Sequence, residues 1–240
     1  MSISGMEILT VVMALATSMI SGVAGFGGAM IFLPILVAAH GVRASVPILT
    51  ICIFMANASR VYFYRRDLRF HLAGLFWAGA LPSAILGSLV YVSISGFWIK
   101  KFIGVFLIFT VLYQKLARPV RIQNAKAFVP LGVVSGFISA VVGGTGPLTA
   151  PFFLAYGLTK EAFVGTESLC AMGMHFVKIL SYGKLGVLGP QEFRLGLFYG
   201  VIMSLGSYLA TKILTRISRE SFRVMVEWLL VAVGIMMLVR

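Results

Sequence analysis

The stretch FVGTESLCAMGMHFVKILSYGKLG, residues 163–186, holds Glu167, His175 and Lys178 inside a largely apolar run, ahead of Lys184 near its end. Ionisable groups inside apolar spans are costly, and they mark ion or substrate pathways and proton relays. Glu167 and Lys178 stand eleven residues apart, so they share a helical face but lie roughly 16 Å apart along the axis and do not pair directly. His175 and Lys178 are adjacent on the next turn. His175 and Glu167 are candidate proton-coupling groups, since imidazole titrates near neutrality and a buried carboxylate can carry a proton. Lys178 offers a fixed positive charge to an anion. The plainer readings stay open beside these: a hydrogen-bonded helix contact for His175, and a Lys178 that reaches along Tyr182 to the membrane surface. A second run, VPILTICIFMANASRVYFYRRD, holds Thr50 and Asn57 on nearly one face, with Arg60 just before the Arg65-Arg66 pair. Asn57 is a buried amide that must be satisfied. Arg60 reads as an ordinary charge at the end of a span.

These residues need a scaffold, and the glycines suggest its form. GFGGAM (Gly25–Met30) and VVGGTGP (Val141–Pro147) interrupt the two longest apolar stretches, 6–40 and 127–157. Glycine weakens a helix interior by about 1 kcal/mol relative to alanine. Such a break frees the N–H groups that open the next helix, and with the helix dipole they form an anion site. Pro147 suits a first helical turn, where its missing N–H costs nothing, and Thr145 suits the cap. Close helix packing is the competing use of these glycines. The predicted binding set is therefore Gly25, Gly27, Gly28, Asn57, Gly143, Gly144, Thr145, Gly146, Pro147, Thr166 and Lys178.

Composition fixes the class. The 240 residues are 60% hydrophobic and 11% charged, with mean hydropathy +1.00 and net charge +13. That is too little polar surface to cover a soluble globule, and the apolar runs approach the ~20 residues that cross a bilayer. The reading is an all-α polytopic membrane protein. Its basic residues fall mostly in short loops, where membrane orientation explains them and no nucleic-acid partner is expected. Cys52 and Cys170 lie inside apolar runs and read as small buried residues. Ala14-Leu15-Ala16 looks like a cleavage site, but no Lys or Arg precedes the apolar run, so the segment is expected to belong to the mature protein. We find no phosphate-binding loop, metal-ligand spacing or nucleophile motif. No cofactor, metal or enzymatic activity is expected.

The runs fall into two similar halves, residues 1–114 and 127–240, joined by a basic linker at 115–126. Each half opens on a glycine-broken stretch and continues with three membrane-length runs. Ser21-Gly22 parallels Ser135-Gly136, Pro34 parallels Pro151, Gly41 parallels Gly157 and Thr50 parallels Thr166. An arm of the broken stretch is too short to cross alone. If each broken stretch is a re-entrant hairpin, every half crosses three times and the second is inverted. Most Lys and Arg then share the linker's side; if the stretch crosses instead, they divide almost evenly. The positive-inside rule favours the hairpins, with the linker cytoplasmic and both termini outside a plasma (inner) membrane.

SGVAGFGGAMIFLPILVAAHGVRASVPILT and SGFISAVVGGTGPLTAPFFLAYGLTKEAFVGTESL resemble the two repeats of the sulfite exporter TauE/SafE family, over nearly the whole chain and in order. The first departs where Ala29 stands in place of a frequent further glycine. The resemblance implies a permease for sulfite, organosulfonates or related small anions, working without ATP. It points to the glycine turns, to Pro34, Pro147 and Pro151, and to Thr50 and Thr166. The combined expectation is a secondary transporter of two inverted repeats, each a re-entrant hairpin plus three transmembrane helices. It would export a small anion by alternating access, with proton coupling and homo-oligomerisation left open. The same elements in a passive anion channel, or in a scaffold subunit without flux, are the alternatives.

Overall fold

The computed structural model describes residues 5–24, 28–116, 122–158, 160–213, 231, 234, 235 and 237–239. The described residues form helices: α1 (Gly5–Ala24), α2 (Gly28–His40), α3 (Val42–Phe63), α4 (Phe70–Ser93), α5 (Gly96–Leu116), α6 (Phe128–Val142), α7 (Gly146–Ala155), α8 (Lys160–Lys184) and α9 (Pro190–Ile213), with a short 3-10 turn, Ala125–Ala127, before α6. Six helical segments among the described residues are long and apolar enough to cross a membrane: in α1, α3, α4, α5, α9, and the 3-10 turn with α6. The longest helix, α8, is 25 residues, or about 37 Å. It falls outside that set because it carries the polar run. Most of the predicted last span, 223–239, lies outside the described residues, but Gly234 and Met237 lie against Gly104 of α5. The predicted long stretches are each two helices with a break at the glycines, and α2 and α7 are too short to cross.

Contacts place the helix ends. Glu7 near the start of α1 interacts electrostatically with His40 at the end of α2. Phe128 at the start of α6 packs on Phe153 and Tyr156 at the end of α7, with ring centroids 4.8 and 5.5 Å apart. Each broken pair is thus a hairpin that returns to its starting level. At one end of the bundle the Tyr91 hydroxyl, late in α4, donates to the Arg43 carbonyl, early in α3, at 2.8 Å. The Tyr91 ring lies 5.4 Å from that of Tyr182, late in α8. At the other end the Arg69 N–H, ahead of α4, donates to Thr166 Oγ1, early in α8, at 3.0 Å. So α3 runs antiparallel to both α4 and α8.

Small residues let the closest helix pairs touch. A methyl group added at Gly132 or Gly136 of α6 would overlap the carbonyl oxygens of Phe76 or Ala80 on α4, and one at Gly79 or Gly87 of α4 would overlap those of Val129 or Phe137. A methyl at Gly22 of α1 would come within 2.6 Å of Ala210 on α9. Without a hydrophobic drive between helices in lipid, such close approach supplies the packing energy. Trp77 of α4 lies over Gly173 and donates from Nε1 to the Cys170 carbonyl at 3.0 Å, which joins α4 to α8.

Two hydrophobic clusters result. One draws mainly on α1, α2, α3, α5 and α9, and also takes in Tyr91 of α4, Val141 and Val142 of α6 and Tyr182 of α8. The other draws on α4, α6, α7 and α8. The α4 helix therefore packs among second-half helices, and α9 among first-half ones.

Candidate functional site

The second glycine cluster makes a sharp break. Gly143 ends α6 with φ at +93°, a left-handed value that any side chain would strain, and its N–H donates to the Ser139 carbonyl at 2.9 Å. Thr145 then caps α7 with its backbone: its carbonyl accepts from the N–H groups of Leu148 and Thr149 at 2.9 and 3.0 Å. Its hydroxyl makes no capping bond. Pro147 sits in the first turn of α7, as predicted. The opening N–H groups of α7 have no intrahelical partner. At the first break, Gly25 and Gly27 lie outside the described residues. The α2 helix begins at Gly28, which presses on the Thr17 carbonyl and Ser21 of α1 so closely that no Cβ fits.

A cavity lies between the starts of α2 and α7 and the middles of α3 and α8. Its open space is about 50 Å³, on a scale where one water takes about 10–15 Å³. That is room for a few waters or one small ion. Ala29 and Met30 line it from α2, Asn57 and Arg60 from α3, Gly144 through Pro147 and Thr149 from the second break and α7, and Glu167 and His175 from α8. Of the predicted residues the cavity gathers Asn57, Gly144, Thr145, Gly146, Pro147, Glu167 and His175. They come from positions more than a hundred residues apart in the chain.

The polar groups of the wall differ in how they are satisfied. Glu167 Oε1 accepts from the Thr149 hydroxyl at 3.4 Å. Arg60 donates from Nη1 to Ser21 Oγ at 3.3 Å and from Nε to the Ala56 carbonyl at 3.3 Å, and it interacts electrostatically with Glu167. Asn57 is only 2% exposed and lines the cavity, and among the described residues its amide makes no hydrogen bond, so it is available to an occupant of the cavity. Among the described lining residues Arg60 is the one guanidinium or ammonium group and Glu167 the one carboxylate.

Other predicted residues lie elsewhere. Thr166 faces away from the cavity and accepts from the Arg69 N–H. Gly28 and Gly143 stand behind the wall. Lys178 is fully buried and turned from the cavity: Nζ donates to the Ser139 carbonyl at 2.7 Å, Ser139 Oγ at 3.0 Å and the Gly143 carbonyl at 3.2 Å. It therefore binds the negative end of α6, where a cation is favoured. Arg60 reaches the last turn of α1 through the Ser21 hydroxyl. The sequence reading missed Arg60 as a wall residue. Its proximity to Asn57, three positions on and so one turn along the same face, is the signal that could have found it.

A bundle in which two discontinuous helices and two long ones close on a buried polar cavity is the architecture of a membrane transporter. The chain belongs to the sulfite exporter TauE/SafE family, which it matches over residues 10–237. It is similar to a probable membrane transporter protein of Haemophilus influenzae, at 30% identity over 105 residues, covering 44% of this chain and 40% of that protein. Over 96% of this chain and 94% of the other it is 23% identical to a probable membrane transporter protein of Methanocaldococcus jannaschii. No solved structure matches it.

Proposed function

We propose that this protein is a secondary transporter that carries a small anion, sulfite or a small sulfonate, through the cavity between the two helix breaks. The observation that carries the reading is a space the size of one small ion lined together by the Asn57 amide, the N-terminus of α7 and the Arg60 guanidinium. All three favour an acceptor-rich, negatively charged guest. The family's description supports the sulfite class.

Glu167 supplies the coupling. One guanidinium serves the wall, and a bound anion competes with the carboxylate for it. Taking up a proton removes the like-charge repulsion, so proton and anion occupy the site together. The repeats are 1–114 and 127–240, inverted with respect to each other, with the linker 115–126 cytoplasmic and both termini outside the plasma membrane. The paired hairpins and the antiparallel course of α3 and α8 support this topology. The bodies that rock in alternating access follow the two hydrophobic clusters, each drawn from both halves.

The test is flux of sulfite, small sulfonates and carboxylates into liposomes holding the purified protein, with and without a proton gradient. Saturable flux of one anion class that responds to the gradient is expected. Non-saturating flux of every anion, or none from folded protein, overturns the carrier reading.

A further inference from the structure

The side chain behind the wall decides what the wall presents. Lys178 Nζ has four neighbours: the Ser139 and Gly143 carbonyls, Ser139 Oγ, and His175 Nδ1 at 3.5 Å. The carbonyls can only accept. The Ser139 hydroxyl can donate to the Gly143 carbonyl at 3.4 Å while its oxygen accepts from Lys178 at 3.0 Å. In that arrangement the three acceptors take the three hydrogens of an ammonium, and we assign Lys178 that form. An N–H on His175 Nδ1 would then face that ammonium, whereas a bare Nδ1 faces it favourably. A neutral imidazole bare at Nδ1 carries its proton on Nε2.

We propose that Lys178 is a positioning residue that holds His175 as the neutral Nε2–H tautomer, so that His175 is a fixed hydrogen-bond donor to the transported anion and not a carrier of the coupled proton. This rests on the anion-in-cavity reading for the identity of the guest, but the tautomer itself does not. The groups around the imidazole agree with the assignment. Lys178 is on the Nδ1 side, and the Arg60 guanidinium of α3 lines the same cavity, so two cations oppose a third charge on the ring. Glu167 of α8 is the one lining carboxylate and is left as the proton site.

The chain has three histidines, so nitrogen-15 NMR of histidine-labelled protein resolves the point. The His175 signals are identified by their loss in His175→Asn. The expected spectrum shows Nε2 protonated and Nδ1 bare, unchanged from pH 6 to 8 and with or without sulfite. A proton on Nδ1, or an imidazolium appearing in that range, overturns the proposal whether or not the protein transports anything. In Lys178→Met the expected spectrum loses the single tautomer; should that variant fail to fold, the wild-type spectrum alone decides. Transport gives a second reading. His175→Gln, whose amide nitrogen sits near the Nε2 position, should raise KM for the anion less than His175→Ala, which raises it about tenfold, and should retain proton coupling. Loss of coupling in the Gln variant would show a proton carrier and refute the fixed donor.

Discussion

Replacing Glu167 by Gln keeps the shape of the wall and its contact with Thr149 but removes the one lining carboxylate. In a cavity that holds a few waters, a bound anion and an ionised Glu167 lie within about 4 Å, where like charges repel by about 4 kcal/mol at the effective dielectric of protein sites. That is close to three decades of affinity. The wild-type protein escapes the penalty by protonating Glu167. The sign follows: lowering pH supplies the proton, so anion binding tightens as pH falls, by at most tenfold per pH unit for one coupled proton. Arg60 of α3 and His175 and Cys170 of α8, the other titratable groups lining this cavity, stay in one state across pH 5–8: guanidinium does not deprotonate, the imidazole is held by its contact with Lys178, and the buried thiol keeps its proton. The expected result, read with a sulfonate whose charge is constant in this range, is a KM for flux that falls as pH drops from 8 and levels off once Glu167 is protonated in the empty site, and that is flat in Glu167→Gln. The variant should also bind as the wild type does at low pH and move anion without an accompanying proton. An unchanged pH slope in the variant refutes the assignment of the proton to Glu167.

Four further outcomes follow from the packing. Asn57→Ala removes a cavity-lining amide that makes no hydrogen bond among the described residues, so thermal stability should hold while KM rises about ten- to a hundredfold, the worth of a hydrogen bond to a charged group; melting and flux on the same preparation check both. Gly143→Ala should lower stability by about 1–2 kcal/mol, since φ is +93° and the new Cβ would lie 2.9 Å from Leu49. Gly144→Ala, whose Cβ would find only ordinary 3.6 Å contacts with Ala29 and Ile53, should melt with the wild type but transport more slowly, because it adds a methyl to the cavity wall. Thr166→Val strips the acceptor from the Arg69 N–H and should cost about 1 kcal/mol of stability with KM unchanged.

Much of this site was legible because a few residue types are expensive in an apolar run. Glu167, His175 and Asn57 declared themselves by cost, and Gly143 through Pro147 by punctuation. What could not be read was direction. Thr166 and Glu167 are neighbours, so the 100° step of a helix sends one to the Arg69 backbone and the other to the cavity, and the sequence does not say which. Lys178 looked like a ligand because an isolated buried cation invites an anion; the carbonyls of a broken helix end answer that need, and they exist only once α6 stops at Gly143. Arg60 was read with the loop charges that follow it. Yet α3 continues to Phe63, so Arg60 is still on the helix and turns inward to Ser21.

The cross-packing of α4 on α6 and of α9 on α1 means that neither half of the chain owns a complete core. Cut from its sibling, the first half would present the glycine face of α4 with nothing to close it, and the second would do the same with α9. On the division proposed above, the halves stand to each other as subunits of a helix-swapped dimer whose exchange is made permanent by a covalent tether. Such an arrangement folds as one cooperative body, fixes its partners at a ratio of one to one, and lets the two sides of the shared cavity diverge in sequence without ever having to recognise a stranger.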